Sequence, residues 1–378
     1  MKIVIAPDSF KESMSALQAA DAIGKGIEKI FPEAEVVKVP MADGGEGTVQ
    51  SLVDATKGEM KSAAVTGPAG VPVDAFYGIT GDGKTAIIEM AAASGLHLVP
   101  IGKRNPLLTT TKGTGELILA AVDSGVTHLI IGLGGSATND GGAGMAQALG
   151  VRLLKADGQQ IGPGGEELRH LDSIDLTTLD PRLKEVTIEL ACDVDNPLTG
   201  ERGASRVYAR QKGATEGMID ILEGSLAHYA HVIKRDIGKD VDNIPGAGAA
   251  GGLGAGFLAF LEADMRKGID LVMDAAGLEH HLVDADLVIT GEGRIDGQTV
   301  YGKAPIGVAG MAKKRNLPVI GVAGTLGEGW QAVYEHGIDA VYSIVPGAIP
   351  LETALLHAEK YTEELAGNIA RTVKMWRG

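Results

Sequence analysis

A two-domain α/β protein is what the 378-residue sequence predicts, with one domain formed by both chain ends and interrupted by a large insertion. Three observations carry this expectation. Both ends alternate short apolar runs with segments of helical period, the βα pattern of a parallel sheet. The middle departs from that pattern and contains a hairpin signal. The length suits two domains of ~100–200 residues each.

Ile3–Ala6 reads as a buried strand, with Pro7-Asp8-Ser9 as the turn after it. Ser13 to Ile30 places Leu17, Ala20, Ile23, Ile27 and Ile30 on one helical face, and Glu35–Val39 is the next strand. At the other end Asp286–Thr290, Val319–Val322 and Ala340–Ile344 are predicted strands. Ile306–Lys314 and Trp330–His336 are predicted helices, and one long amphipathic helix runs from about Leu351 to Trp376. In the middle, Val73–Thr80 and Thr85–Met90 flank Gly81-Asp82-Gly83 as a hairpin. Gly115–Ser124, Gly217–Lys234 and Gly252–Met265 are predicted helices, and His128–Ile131 and Val186–Ala191 predicted strands. The expected boundaries are 1–60 with 284–378 for the first domain and 61–283 for the inserted one. A cleft between two such domains is a common place for a ligand.

Lys and Arg total 34 against 49 Asp and Glu, a net charge of −15, which disfavours nucleic acid or an anionic membrane as partner. The single cysteine, Cys192, excludes an intrachain disulfide and a cysteine-based zinc cage. The opening run is too short for a signal sequence, and no apolar stretch nears the ~18–20 residues of a membrane span, so a cytoplasmic protein is expected. The sequence does not set the oligomeric state, a homo-oligomer included. The 55 glycines are about twice the usual ~7 % and cluster in particular loops, as where a backbone approaches something closely.

Two glycine motifs fail their structural context. Gly78 to Thr85 matches G-x-x-x-x-G-K-[ST], but the residues after Lys84 read as a strand, whereas phosphate cradling needs a helix start there. Gly246 to Gly251 matches G-x-G-x-x-G, but follows a loop rather than a strand. It is read as an anion or backbone-contact loop, or as tight helix packing. The pairs His228/His231 and His280/His281 lack a third ligand at metal spacing.

Other loops carry more. The run His128 to Gly142 passes from a buried strand through Gly132, Gly134 and Gly135 to Ser136, Thr138, Asn139 and Asp140, then to a helix from Ala143 to Leu149. Free amides and hydroxyls at such a helix start suit phosphate oxygens. Thr109 to Glu116 also precedes a helix. Asp43 to Thr48 and Gly291 to Gly297 each pair carboxylates with glycines after a strand, the second adding Arg294 for a bidentate grip on an anion. Asp193 and Asp195 follow a buried strand, where they suit Mg²⁺ or proton acceptance. Asp8, Ser9 and Lys11 supply a carboxylate, a hydroxyl and a cation after the first strand. Each loop alone also fits an ordinary polar turn.

Read together, these loops resemble the bacterial glycerate kinase family, type I (the GarK/GlxK type). The likeness rests on Ala6 to Ser13, Ala42 to Thr48, Gly132 to Gly142, Cys192 to Leu198, Gly246 to Gly254 and Thr290 to Gly302, and it runs the length of the chain. The resemblance implies a flavodoxin-like domain formed by both ends with a second α/β domain inserted. It also implies ATP- and Mg²⁺-dependent phosphorylation of D-glycerate in glyoxylate or sugar-acid catabolism, with 2-phosphoglycerate favoured over 3-phosphoglycerate.

Phosphoryl transfer needs positioned phosphates, neutralised charge and an oriented hydroxyl. On that basis Gly134, Gly135, Ser136 and Thr138 are expected at the ATP phosphates, with Gly113 and Thr114 as further candidates. Asp193, supported by Asp195, is expected as base or Mg²⁺ ligand. Arg294 and Lys11 are expected on the glycerate carboxylate or the transferred phosphoryl group, with Asp8, Ser9, Asp43 and Asp296 as substrate contacts. The rival readings are a kinase of another short sugar acid, a non-catalytic small-molecule-binding protein and an NAD-dependent dehydrogenase.

Overall fold

The structure is a computed structural model that describes residues 1–377. The chain forms two compact units, Met1–Gly58 together with the segment from Gly268 onward, and Glu59–Lys267. The first arm holds β1 (Lys2–Pro7), α1 (Ala16–Glu28), β2 (Glu35–Lys38) and α2 (Thr48–Thr56). The inserted unit holds β3 (Glu59–Thr66), β4 (Pro72–Ile79), β5 (Thr85–Glu89), α3 (Ala91–Ser94), α4 (Lys112–Asp123), β6 (His128–Gly132) and α5 (Ala143–Ala148). It continues with β7 (Arg152–Leu154), β8 (Ser173–Asp175), β9 (Thr187–Ala191), α6 (Ala204–Tyr208), α7 (Glu216–Ile237), α8 (Ala249–Phe260) and β10 (Ala263–Arg266). The return arm holds α9 (Gly268–Ala275), α10 (Leu278–His281), β11 (Leu287–Ile295), α11 (Ala304–Lys313), β12 (Val319–Leu326), β13 (Ala340–Ser343), α12 (Leu351–Leu356) and α13 (Ala358–Arg377). The return falls at Gly268 rather than near 284, because α9 packs against α2 and α11 of the first unit.

In the first unit five parallel strands run in the order β2-β1-β11-β12-β13, the flavodoxin-like order in which the connection reverses beside β1. The strands are apolar because helices cover both faces of a parallel sheet. Ile3, Ile5, Leu287 and Ile289 pack with Ile23 and Ile27 of α1 in one core. Ser15 starts α1 with a reciprocal capping box to Gln18. Gly26 lets α1 press on α13, since a Cβ there would stand 2.3 Å from the Glu363 carbonyl oxygen. A side chain at 26 would push the two helices apart, at a cost of order 1–3 kcal/mol.

In the second unit six strands run β10-β9-β6-β5-β4-β3, with β5, β6, β9 and β10 parallel and β3–β4–β5 antiparallel. Gly78 to Thr85 is a hairpin: Thr80 N–H donates to the Thr85 carbonyl at 3.0 Å, and exposed Lys84 sits on the turn. The β7–β8 ribbon stands apart from this sheet. No helix among the described residues is long and apolar enough to cross a membrane.

Three predicted elements differ. The helix expected over Gly252–Met265 ends at Phe260, and Ala263–Arg266 instead pairs in parallel with β9. Sheet pairing there overrides local helical period. Strand β11 continues past Thr290 to Ile295 because glycines let the backbones close up: a Cβ at Gly291 would stand 2.0 Å from the Val322 oxygen. The long final helix breaks at His357 (φ −110°, ψ 18°); α12 buries nothing, whereas α13 buries Ala366, Ile369 and Ala370.

Candidate active site

In the first unit, the candidate side chains gather at the carboxyl ends of β1 and β11, beside the point where strand order reverses. Asp8 leaves β1 with its N–H donating to the Gly291 carbonyl at 2.8 Å, and its Oδ1 accepts the Ser9 N–H at 2.6 Å. Asp43 follows β2, with Oδ1 accepting the Gly45 N–H at 3.0 Å. Gly268 lets the start of α9 lie against this loop, since a Cβ there would meet the Asp43 carbonyl oxygen at 2.1 Å.

Glu292 lies on β11 and is buried. It accepts the Thr299 hydroxyl at 2.7 Å and Lys303 Nζ at 2.9 Å. Burial pushes the Asp8 carboxyl up from 3.8 to about 7, helped by the Asp43 and Glu292 charges and opposed by the Ser9 N–H. Burial also raises Glu292, despite Thr299 and Lys303.

Arg294 extends from β11 with Nε 2.9 Å from Asp296 Oδ2, its side chain 63 % exposed. Gly327 makes room for this pair: a Cβ there would stand 2.7 Å from Asp296 Cβ and 2.8 Å from Arg294 Nε. Asp296 also accepts the Gln298 N–H at 2.9 Å. Lys11 is exposed on a turn laid over Gly293. Asp8, Ser9, Lys11, Asp43, Arg294 and Asp296 are thus all in the first unit. Glu292 and Lys303 were not singled out from sequence, although Glu292 lies inside the Gly291–Gly297 motif.

In the second unit, β6 runs into the glycine turn. Gly134 and Gly135 are exposed, Ser136 is at the margin, and Thr138, Asn139 and Asp140 are buried. Gly135 takes φ 76°, which favours glycine. Gly134 needs no left-handed conformation and has nothing within 4 Å of where a Cβ would stand. No protein atom therefore demands a glycine at 134.

Asp140 is the keystone beneath the turn. It accepts Thr111 N–H at 2.8 Å, Thr111 Oγ1 at 3.0 Å, and the Gly142 and Gly144 amides at 3.2 Å each. Burial raises its carboxyl against these four donors. Lys212 Nζ, entirely buried, donates to Ser136 Oγ at 2.7 Å and to the Thr138 carbonyl at 2.6 Å.

The expectation for Gly113 and Thr114 needs correction. A Cβ at Gly113 would stand 2.1 Å from the Thr66 carbonyl oxygen, so this glycine seats α4 against β3. Thr114 is fully buried with its hydroxyl 2.8 Å from Ser94 Oγ. Neither offers a surface to a phosphate. Thr138 is fully buried as well, and its hydroxyl has no hydrogen-bond partner. Gly251 closes over it, since a Cβ there would stand 2.0 Å from the Thr138 carbonyl oxygen. The 246–251 glycines thus serve close packing.

Asp193 and Asp195 are exposed beyond β9, and Asp195 is held by Arg202 at 2.6 Å. Asn196 braces this loop, accepting the Tyr208 hydroxyl at 2.6 Å and donating to the Arg202 carbonyl at 2.7 Å. Among the described residues no three His, Cys, Asp or Glu side chains form a metal cluster.

Comparison with known proteins agrees over the full length. The Glycerate kinase family model matches residues 3–374. The chain is 60 % identical over 375 residues to the glycerate kinase of Bacillus subtilis strain 168, covering 99 % of this chain and 98 % of that protein. It is 57 % identical over 373 residues to the glycerate 2-kinase of Escherichia coli K12, again covering 99 % and 98 %. A crystal structure from Salmonella typhimurium LT2, described as a glycerate kinase 2, matches with a TM-score of 0.93 and 56 % identity over 100 % of this chain and 99 % of that chain. The chain belongs to the glycerate kinase family.

Proposed function

We propose that this protein transfers the γ-phosphoryl group of ATP to the 2-hydroxyl of D-glycerate, giving 2-phosphoglycerate and ADP with Mg²⁺ as cofactor. Kinase activity on glycerate follows from the family. The choice of the 2-hydroxyl is supported by the likeness to a relative named glycerate 2-kinase.

The observation that carries the mechanism is the place of Asp8, at the carboxyl end of β1 against Gly291, where burial pushes its carboxyl up to about 7. A group with that value is part ionised at neutral pH and basic enough to accept an alcohol proton as the bond to phosphorus forms. The proton goes to Asp8, the glycerate oxygen bonds to the γ-phosphorus, and the bond to the ADP oxygen breaks. Asp193, expected from sequence as base or metal ligand, is exposed, and we assign the base role to Asp8 instead. Arg294, oriented by Asp296, holds the glycerate carboxylate, with Lys11 and Ser9 as further contacts and Asp43 keeping Asp8 poised.

The ATP phosphates are assigned to the turn from Gly134 to Ser136, where an open glycine admits a ligand against the backbone. Thr138 supports that turn from beneath. Asp193 and Asp195 are hard oxygen donors of the kind Mg²⁺ takes alongside phosphate oxygens and water. Asp193, exposed just beyond the carboxyl end of β9, is the carboxylate we assign to the ion. Bound Mg²⁺ supplies neutralisation of the phosphate charge. The test is ADP release with ATP, Mg²⁺ and a panel of short hydroxy acids. D-Glycerate should give the highest kcat/KM, and equal turnover of another sugar acid would support the rival substrate.

A further inference from the structure

Lys212 has no place in the chemistry so far, yet its environment is unusual for a lysine. The turn Arg210–Lys212 closes on Gly213, whose φ of 94° brings it against the Arg104 carbonyl, where a Cβ would stand 2.5 Å away. Lys212 is 2 % exposed as a residue, and its amine meets two neutral acceptors, Ser136 Oγ and the Thr138 carbonyl. An ammonium buried without a counter-ion is costly. Among the described residues no carboxylate pairs with it. Asp140 acts on it electrostatically but is itself filled by Thr111, Gly142 and Gly144.

Hydrogen-bond bookkeeping gives the direction. Once charged, the Lys212 amine has three donors and no acceptor, so Ser136 Oγ then accepts from it and must point its own hydrogen elsewhere. No described residue accepts that hydrogen or the third lysine donor. The turn is open to solvent beside them, at Gly134 and Gly135. A cluster of donors short of acceptors, around a cation short of an anion, is complementary to a phosphate.

We infer that Lys212 is a positioning residue for the nucleotide phosphates: by donating to Ser136 and Thr138 it fixes the turn and leaves the Ser136 hydroxyl to donate to a phosphate oxygen. This rests on the assignment of ATP phosphates to the Gly134–Ser136 turn. Burial lowers the Lys212 amine to about 7, with Asp140 opposing. The other charged groups on neighbouring elements are engaged elsewhere, Arg206 with Asp220, Arg210 with Glu216 and Arg104 with the Val99 carbonyl. Tyr229, beside Asp140, is held neutral by burial. An arriving phosphate therefore favours the charged amine and draws a proton onto it.

The test combines calorimetry with steady-state kinetics. At pH 8, where free ATP is already deprotonated, ATP is titrated into the protein in buffers of different ionisation enthalpy. Wild type should take up close to one proton. Lys212→Met should take up none and raise the ATP KM about 10- to 100-fold, the loss expected for a hydrogen bond to a charged group, with the glycerate KM within threefold of wild type. Lys212→Gln, which keeps a donor, should fall between. No proton uptake by wild type, or an ATP KM within threefold in a folded Lys212 variant, would overturn the inference. Should Lys212→Met fail to fold, the wild-type uptake and Lys212→Gln decide. Ser136→Ala separates the two levels. If it weakens ATP while Lys212→Gln and Lys212→Met do not, the turn binds phosphate without help from Lys212. If neither Ser136 nor Lys212 matters, the phosphate assignment itself falls.

Discussion

Asp8→Asn keeps the shape of the side chain and an acceptor for the Ser9 N–H, while removing a charge that the fold holds at a cost. The carboxyl rises from 3.8 to about 7, chiefly by burial. That rise corresponds to at most about 4 kcal/mol by linkage, and partial solvent exposure should trim it to about 1–3 kcal/mol. The sign follows from proton counting. Between those two values the folded state binds more protons than the unfolded chain, so Asp8 lowers stability progressively as pH rises through that window. Below about pH 3 both states are protonated and the term vanishes. The Asn variant should therefore gain about 1–3 kcal/mol over wild type at pH 8 and almost nothing at about pH 3.

Denaturant unfolding at the two pH values measures this directly. The same variant should lose ~10²–10⁴ in kcat, the range for a positioned acid–base group. Wild-type kcat/KM should rise with pH through about 7. An Asn variant that is equally stable at both pH values relative to wild type, or one that keeps normal kcat, would refute the role given to Asp8.

Three further outcomes are expected. Lys84→Ala should change kcat/KM less than ~10-fold, because the lysine is exposed on a hairpin turn rather than cradling phosphate; a loss of several orders of magnitude would contradict that. Gly134→Ala should leave stability within ~0.5 kcal/mol, since no protein atom crowds the site, yet weaken ATP at least tenfold; unchanged ATP KM would move the phosphates elsewhere. Asp193→Asn should lower kcat at ordinary Mg²⁺ and recover partly as Mg²⁺ is raised, whereas the absence of rescue would remove Asp193 from the ion.

Much of this was legible in sequence, for physical reasons that also explain the rest. The end-to-end βα pattern was readable because parallel strands such as Ile3–Ala6 are buried on both faces. The false phosphate motif at Gly78 was recognisable because the short apolar run Ala86 to Ile88 after Thr85 reads as a strand rather than as a helix start. Strand β10 was missed because its identity comes from pairing with β9, which no local pattern encodes. Helix α2 was passed over because its glycine-rich approach reads as loop, although Val49, Leu52 and Val53 are buried on it. The loops to which the chemistry is assigned stand out in the sequence by their residue types. Their internal ranking does not, because burial decides it: Asp8 is raised by burial and Asp193 is exposed, yet both read as a carboxylate after a strand. Lys212 carried no sequence signal at all, since a lysine beside a glycine reads as a surface turn.

The most direct test follows the product. The purified protein is given ATP, Mg²⁺ and D-glycerate, and its product is passed to enolase alone and, in parallel, to phosphoglycerate mutase followed by enolase. Transfer to the 2-hydroxyl predicts phosphoenolpyruvate at the same rate in both arms. Phosphoenolpyruvate appearing only when the mutase is present would show transfer to the 3-hydroxyl and contradict the account.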